Sequence, residues 1–292
     1  MERRRFGATA VELPVVTFGT MRLADDNGGL SAAEVLLRLH DAGVTAHHSS
    51  FEYDSHPVYL AALADVRRTG RRTEHVVKLS EPSFDASDWQ ASRLVARIDA
   101  ELTSLATERL DNVQWLVRTP DATDDDSRLA VIGDHQAEIA GTFDELRRVG
   151  KIGSVSSFPY SPGFATAALD AGLVDGLCTY LNFAELDYAP LVARTGFLAI
   201  RPLAAAALTA RAHASDPDGP ARAVATALGL DPDDLAAEAH RFPLRHPAVT
   251  SVIVSPRTPA QIDATVEAAA TARVDAAAFA NQVAQLQGTQ RK

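Results

Sequence analysis

Strand-like and helix-like stretches alternate eight times along this chain, with short connections, and this rhythm limits the fold more than any other feature. Val15 to Phe18 reads as a buried strand ending at Gly19. Ser31 follows as a helix N-cap with Glu34 three residues on, the spacing of a capping box, and Val35, Leu36 and Leu39 give the helix its apolar face. The unit recurs as Val44 to His48 with Val58 to Val66, His75 to Lys78 with Ser92 to Leu105, and Asn112 to Val117 with Gln136 to Arg148. It continues as Gly153 to Ser157 with Gly163 to Ala171, and Leu177 to Leu181 with Ala189 to Arg194. Phe197 to Ile200 with Ala221 to Leu228, and Ser251 to Val254 with Thr258 to Ala272, complete the set.

Parallel strands need crossover helices, and eight such units suffice to close a sheet into a barrel without edges. An open doubly wound sheet is the rival, but no G-x-G-x-x-G follows the first strand and eight units exceed what one open sheet usually carries. The prediction is an α/β chain forming one domain over residues 1–292, a (β/α)8 TIM barrel. A β-hairpin over Arg4 to Leu13, interrupted at Gly7 and Ala8, precedes it, and an amphipathic helix over Asp275 to Leu286 follows it.

Composition narrows the function classes. With 46% hydrophobic and 23% charged residues in 292, disorder is excluded as the main state. A net charge of -10, with its one acidic block at Asp124 to Asp126 in a loop-like stretch, argues against a nucleic-acid partner. Cys178 is the sole cysteine, so no intrachain disulfide forms, and no Cys/His spacing suggests a metal. The basic start, Arg3 to Arg5, is followed by no apolar run of signal-peptide or membrane length, so the expectation is a cytoplasmic protein with no membrane association. Oligomeric state is not legible.

A barrel of this kind builds its active site at the C-terminal ends of its strands. The stretch Gly43 to Tyr53 reads as a strand running into a loop that carries His48 and Tyr53. Lys78, Arg118, the Ser156 to Tyr160 turn, Asn182 and Arg201 also fall at strand ends, with Trp115 and Glu81 beside them as expected substrate contacts. His47 should point away from His48, into the strand–helix layer, as a structural residue; that alternation also disfavours a metal pair there. A buried Arg118 needs an anion, either a protein carboxylate such as Glu81 or a ligand. Cys178 reads as a small core residue.

In its ordered motifs the sequence resembles the aldo-keto reductases. Phe6-Gly7 and the run Val15 to Met21 look like that family's opening hairpin and first strand. Ala42 to Tyr53 is similar to G-[IV]-x-x-x-D-T-A-x-x-Y, Leu102 to Val113 to the S-L-x-x-L-x-x-D-Y-[IV]-D region, and Leu146 to Ile152 to L-x-x-x-G-K-[IV]. Pro202-Leu203 and Arg257 to Gln261 resemble the last two loops. The resemblance implies NADPH-dependent carbonyl reduction, in which a Tyr donates a proton, a Lys–Asp pair lowers its pKa and a His polarises the carbonyl. Tyr53 and Lys78 keep two of these positions; His48 stands where the family has Asp, and Arg118, in Arg118-Thr119-Pro120, where it has His.

The cofactor positions implied by the resemblance depart too. Ser156, Ser157, Phe158 and Pro159 align with G-[VL]-S-N, so the pair that holds the nicotinamide amide becomes Phe158-Pro159, without side-chain hydrogen bonds. Cys178 falls at the family's glutamine, Ile200 at its stacking aromatic, and Ala264-Thr265 at its Glu-Asn pair. Arg257, Thr258 and Gln261 keep the means to hold a phosphate. Losing hydrogen bonds at about five positions, each worth about 0.5 to 1.5 kcal/mol, removes several kcal/mol of affinity, so no NADPH binding, or only weak binding, is expected.

Lys78 without a carboxylate, facing His48 and Arg118, is expected to have a lowered pKa. Three functions remain open. The first is a small-molecule site for a polar or anionic ligand, with non-redox acid/base catalysis by Tyr53 and His48 or a Schiff base on Lys78. The second is a weakened NADPH-dependent oxidoreductase using Tyr53 and Lys78. The third is a non-catalytic binding or scaffold protein in which Tyr53 and Lys78 only pack the mouth.

Overall fold

In the computed structural model, which describes residues 1–84, 88–121 and 123–290, β1 (Arg3–Arg5) and β2 (Glu12–Pro14) form the expected antiparallel hairpin. Strand–helix units then follow: β3 (Val16–Gly19) and α1 (Ala32–Asp41), β4 (Ala46–Ser49) and α2 (His56–Arg68), β5 (Glu74–Ser80) and α3 (Ala91–Ser104). Next come β6 (Asn112–Leu116) and α4 (Asp125–Arg148), then β7 (Val155–Ser157) and α5 (Pro162–Asp170). Strand β8 (Gly176–Tyr180) leads into a 3-10 segment (Ala189–Arg194) instead of the α-helix expected there. Strand β9 (Gly196–Ile200) precedes α6 (Ala210–Ser215), α7 (Pro220–Leu228) and α8 (Leu235–Leu244), and β10 (Val249–Val254) precedes α9 (Pro259–Thr271) and α10 (Ala276–Gln290). Neighbouring strands from β3 to β10 pair in parallel, and β10 pairs with both β9 and β3, closing the barrel.

The local reasons are visible at the element ends. Ser31 and Glu34 form the capping box anticipated for α1, and Thr258 with Gln261 forms another at α9. Helix α4 starts eleven residues earlier than its apolar periodicity indicates, because Asp124 caps it through the Ser127 amide and Asp125 and Asp126 sit in the first turn, where the helix dipole favours carboxylates. The acidic block is thus a helix start, not a loop. Helices α6 and α8 have no counterpart in the sequence reading, which carried only α7 after β9.

Two cores result. Between strands and helices lies the larger one, including Trp115, Phe143, Phe164, Leu94 and Ile98. Inside the barrel a smaller one joins Ala46, Val76, Cys178, Leu198 and Ile253 to Phe6, Val11 and Leu13 of the hairpin, which plugs the N-terminal end. That plug depends on Gly176 and Gly196. A Cβ on Gly176 would stand 2.2 Å from the Gly196 carbonyl oxygen and 2.5 Å from the Phe6 ring. With the bottom sealed, the opposite end is the one left for a ligand.

Candidate active site

Period-two alternation along β4 separates the two histidines. His47 faces outward, its Nδ1 3.2 Å from the Tyr59 hydroxyl and its ring edge-on to Phe18 and His40. His48 faces inward. Gln114, on β6 beside Lys78 of β5, donates through Nε2 to the Cys178 carbonyl at 2.8 Å, which turns its Oε1 toward His48 Nε2, also at 2.8 Å. Only an Nε2–H tautomer satisfies that contact, leaving Nδ1 as the bare nitrogen. Burial pushes the His48 pKa down to about 4 against the support of the Gln114 hydrogen bond, so the ring is neutral at pH 7.

The loop after β4 is pinned rather than loose. Ser50 Oγ donates to the Lys78 carbonyl at 3.1 Å and Ser55 Oγ to the Thr20 carbonyl at 2.8 Å. This sets Tyr53 on the cavity wall with Lys78 Nζ 5.1 Å from its ring centroid, and puts the His48 and Tyr53 rings 6.3 Å apart. Burial raises the Tyr53 pKa, with nearby Cys178 and Glu52 adding to the effect, so the phenol stays protonated.

The same loop supplies a carboxylate that sequence reasoning missed. Glu52 Oε2 lies 3.1 Å from Lys78 Nζ and pairs with Arg118 Nη2, while Oε1 accepts from Ser80 Oγ at 3.2 Å. Lys78 therefore has a carboxylate partner after all. Its pKa is lowered, first by burial and then by Arg118, against the opposing pull of Glu52; neutral His48 is not the like charge anticipated. The anion met by Arg118 is Glu52, not Glu81. Glu52 stands immediately before Tyr53 in a strand-end loop, a position the strand-end rule itself singles out.

Several other expected site residues lie elsewhere. Trp115 alternates with Gln114 and so faces the helices, fully buried, its Nε1 donating to the Glu81 carbonyl at 2.7 Å. The Glu81 carboxylate is also fully buried and is held by Arg93 at 2.7 Å. Asn182 folds its own loop, accepting from the Ala184 and Glu185 amides and donating to the Arg201 carbonyl, all at 2.9 Å. Arg201 does reach the cavity, over the Tyr180 ring at 4.8 Å and with Glu185 3.6 Å away.

At the positions the resemblance assigns to a cofactor, Phe158 lines the cavity, edge-on to Tyr160 and Tyr180 at 4.9 and 5.3 Å. Ser157 pairs in register with Trp115 and is buried with it, and Pro159 is buried off the cavity wall. Cys178 is sealed in the inner core, where burial raises its thiol pKa. Thr258 is occupied as the N-cap of α9, and Gln261 Oε1 accepts from the Arg257 and Thr258 amides; Arg257 and Gln261 still line the cavity. No group of three or more metal-ligating side chains occurs among the described residues.

The cavity at the strand ends has a volume of about 780 Å³ and runs from His48, Tyr53 and Lys78 to Arg257 and Gln261. Its charged lining residues are Arg22, Lys78, Arg118, Arg201 and Arg257, with no Asp or Glu among the lining residues described. A depression of about 840 Å³ between α3 and α4 touches no strand end and carries Asp99, Glu138, Glu145 and Lys151.

A closed parallel barrel with a tyrosine and a lysine at its C-terminal mouth defines a (β/α)8 barrel of the reductase type. The chain belongs to the Aldo/keto reductase family, whose family model it matches over residues 15–284. In structure it is similar to aldo-keto reductase AKR11C1 from Bacillus halodurans in its holo form, with a TM-score of 0.71 and 17% identity over 98% of this chain and 96% of that one. It is also similar to PA4992 from Pseudomonas aeruginosa, itself a proposed aldo-keto reductase, with a TM-score of 0.66 and 19% identity over 92% and 94%. No curated protein matches it in sequence. No described helix is long and apolar enough to cross a membrane.

Proposed function

We propose that the barrel mouth binds an anionic small molecule and performs proton transfer on it, with Tyr53 as the acid, in place of the family's nicotinamide-dependent reduction. The observation that carries this reading is the lining itself: five cationic side chains, against which only Glu52, paired with Lys78 and Arg118, and Glu185, near Arg201, are set, so positive charge is in excess in a chain whose net charge is -10. Such a cleft concentrates anions against the overall field of the protein. Arg118 adds to it, since its Nε is buried without a partner among the described residues.

The residues at the nicotinamide end do not fit that group. Phe158 and Ile200 present hydrocarbon to the cavity, Ser157 is buried beside Trp115, and the Cys178 thiol is sealed in the inner core. Within the mouth, Tyr53 is held protonated and can give up a proton to a bound oxyanion or enolate. Lys78 and Arg118 would stabilise the charge that develops, and the bare Nδ1 of His48 can accept a hydrogen bond.

A second reading, a divergent NADPH-dependent reductase, is favoured by the Lys78–Glu52 pair and by Arg257 and Gln261 sharing the cavity. Calorimetric titration separates the two. Di- and tricarboxylates or phosphate esters should bind, more weakly as salt is raised, while NADPH should not saturate in the micromolar range. Micromolar NADPH binding together with carbonyl-dependent NADPH oxidation that Tyr53→Phe abolishes would reverse the conclusion.

A further inference from the structure

We infer that Glu52 is a positioning residue of this mouth: its carboxylate, shared between Lys78 and Arg118, holds Lys78 as an ammonium beside Tyr53 and fixes the place of the Arg118 guanidinium. The assignment rests on the mouth being the working site. Three contacts from two strand ends converge on this one side chain. Lys78 comes from β5 at 3.1 Å, Arg118 from the end of β6, and the Ser80 hydroxyl donates from the end of β5 at 3.2 Å. The backbone of the loop is tied down by Ser50, whose Oγ also accepts from the Glu52 amide at 3.3 Å. A carboxylate on a free surface loop has no such set of partners.

The electrostatic consequence has a definite sign. The charged and titratable groups facing Lys78 are Glu52 and Tyr53 from the loop, His48 from β4 and Arg118 from the segment after β6. His48 is neutral and Tyr53 protonated, so Glu52 and Arg118 act on Lys78 as charges of opposite sign, one favouring the ammonium and the other opposing it. Removing Glu52 leaves two cations facing each other in a half-buried mouth. The ammonium form of Lys78 then loses its only favourable charge among these neighbours, and Arg118 loses its anchor.

The test is the titration of Lys78 in the unliganded full-length chain, read as the pH midpoint of amine acetylation at Lys78 by mass spectrometry, with melting curves to show that each variant is folded. In Glu52→Gln the midpoint should fall by about half a pH unit or more, about a threefold rise in free amine at a fixed pH below it. In Arg118→Gln the midpoint should move the other way, and Glu52→Asp should lie between wild type and Glu52→Gln. A merely structural loosening exposes Lys78 to water and moves both variants in one direction. Equal movement of the two variants, or a Glu52→Gln midpoint equal to that of wild type, overturns the assignment. The readout needs no ligand, so failure here is distinct from failure of anion binding at the mouth.

Discussion

Removing Arg93 isolates the question of what Glu81 does. The Glu81 side chain is 0% exposed and accepts from Arg93 Nε at 3.0 Å and Nη2 at 2.7 Å, with the Gln90 amide at 3.1 Å as its other partner. Arg93→Met keeps most of the packing but strands a buried carboxylate, a change that costs about 3 to 5 kcal/mol when both partners are enclosed. Arg93 is 28% exposed, so water reaches its side of the pair and the lower end, about 3 kcal/mol, applies. At about 2 °C per kcal/mol for a chain of this length, the melting temperature should fall by about 6 °C. Adding Glu81→Gln should restore part of the loss, because a neutral amide is cheaper to bury than an unpaired carboxylate. The assays are thermal melts and anion titration at the mouth. A melting temperature within about 1 °C of wild type, coupled with lost anion binding, would refute the reasoning and return Glu81 to the substrate site.

Other outcomes follow from the same coordinates. His48 and His75 have pKa values held at about 4 by burial, below the value of about 6.5 they take when unfolded, so the unfolded chain binds more protons below pH 6.5. Each should remove about 2 kcal/mol of stability between pH 7 and pH 5, while Glu101, raised by burial to about 7, opposes them by a similar amount; urea melts of Glu101→Gln should therefore lose stability more steeply over that range than wild type. Gly176→Ala forces the hairpin plug away from β8 and β9 and should cost about 3 kcal/mol or more, seen as early proteolysis of the first fifteen residues. Tyr53→Phe should leave the melting temperature and anion affinity near wild type while abolishing proton exchange on a bound ligand, followed by deuterium incorporation; retained exchange would remove Tyr53 from the acid role.

Much of this architecture is written in local pattern. Eight alternations, the Ser31–Glu34 capping box and the motif run from Ala42 to Tyr53 are short-range signals, and periodicity alone orients His47 outward and His48 inward. The same rule, carried one strand further, turns Trp115 to the helices and Gln114 to the mouth, so that error was avoidable from sequence. Apolar spacing reveals only the second half of helix α4, because capping by Asp124 starts the first.

Which charges meet was beyond local pattern. Lys78, Arg118 and Glu52 come from three segments 26 to 66 residues apart, and barrel closure alone decides that Glu52 serves the two cations while Glu81 turns outward to Arg93. An ion pair depends on distances of a few ångströms between side chains whose separation along the chain says nothing about them. Sequence by itself determined the barrel and its family; tertiary structure decided that a carboxylate reaches Lys78, and that the mouth beside it is lined with positive charge.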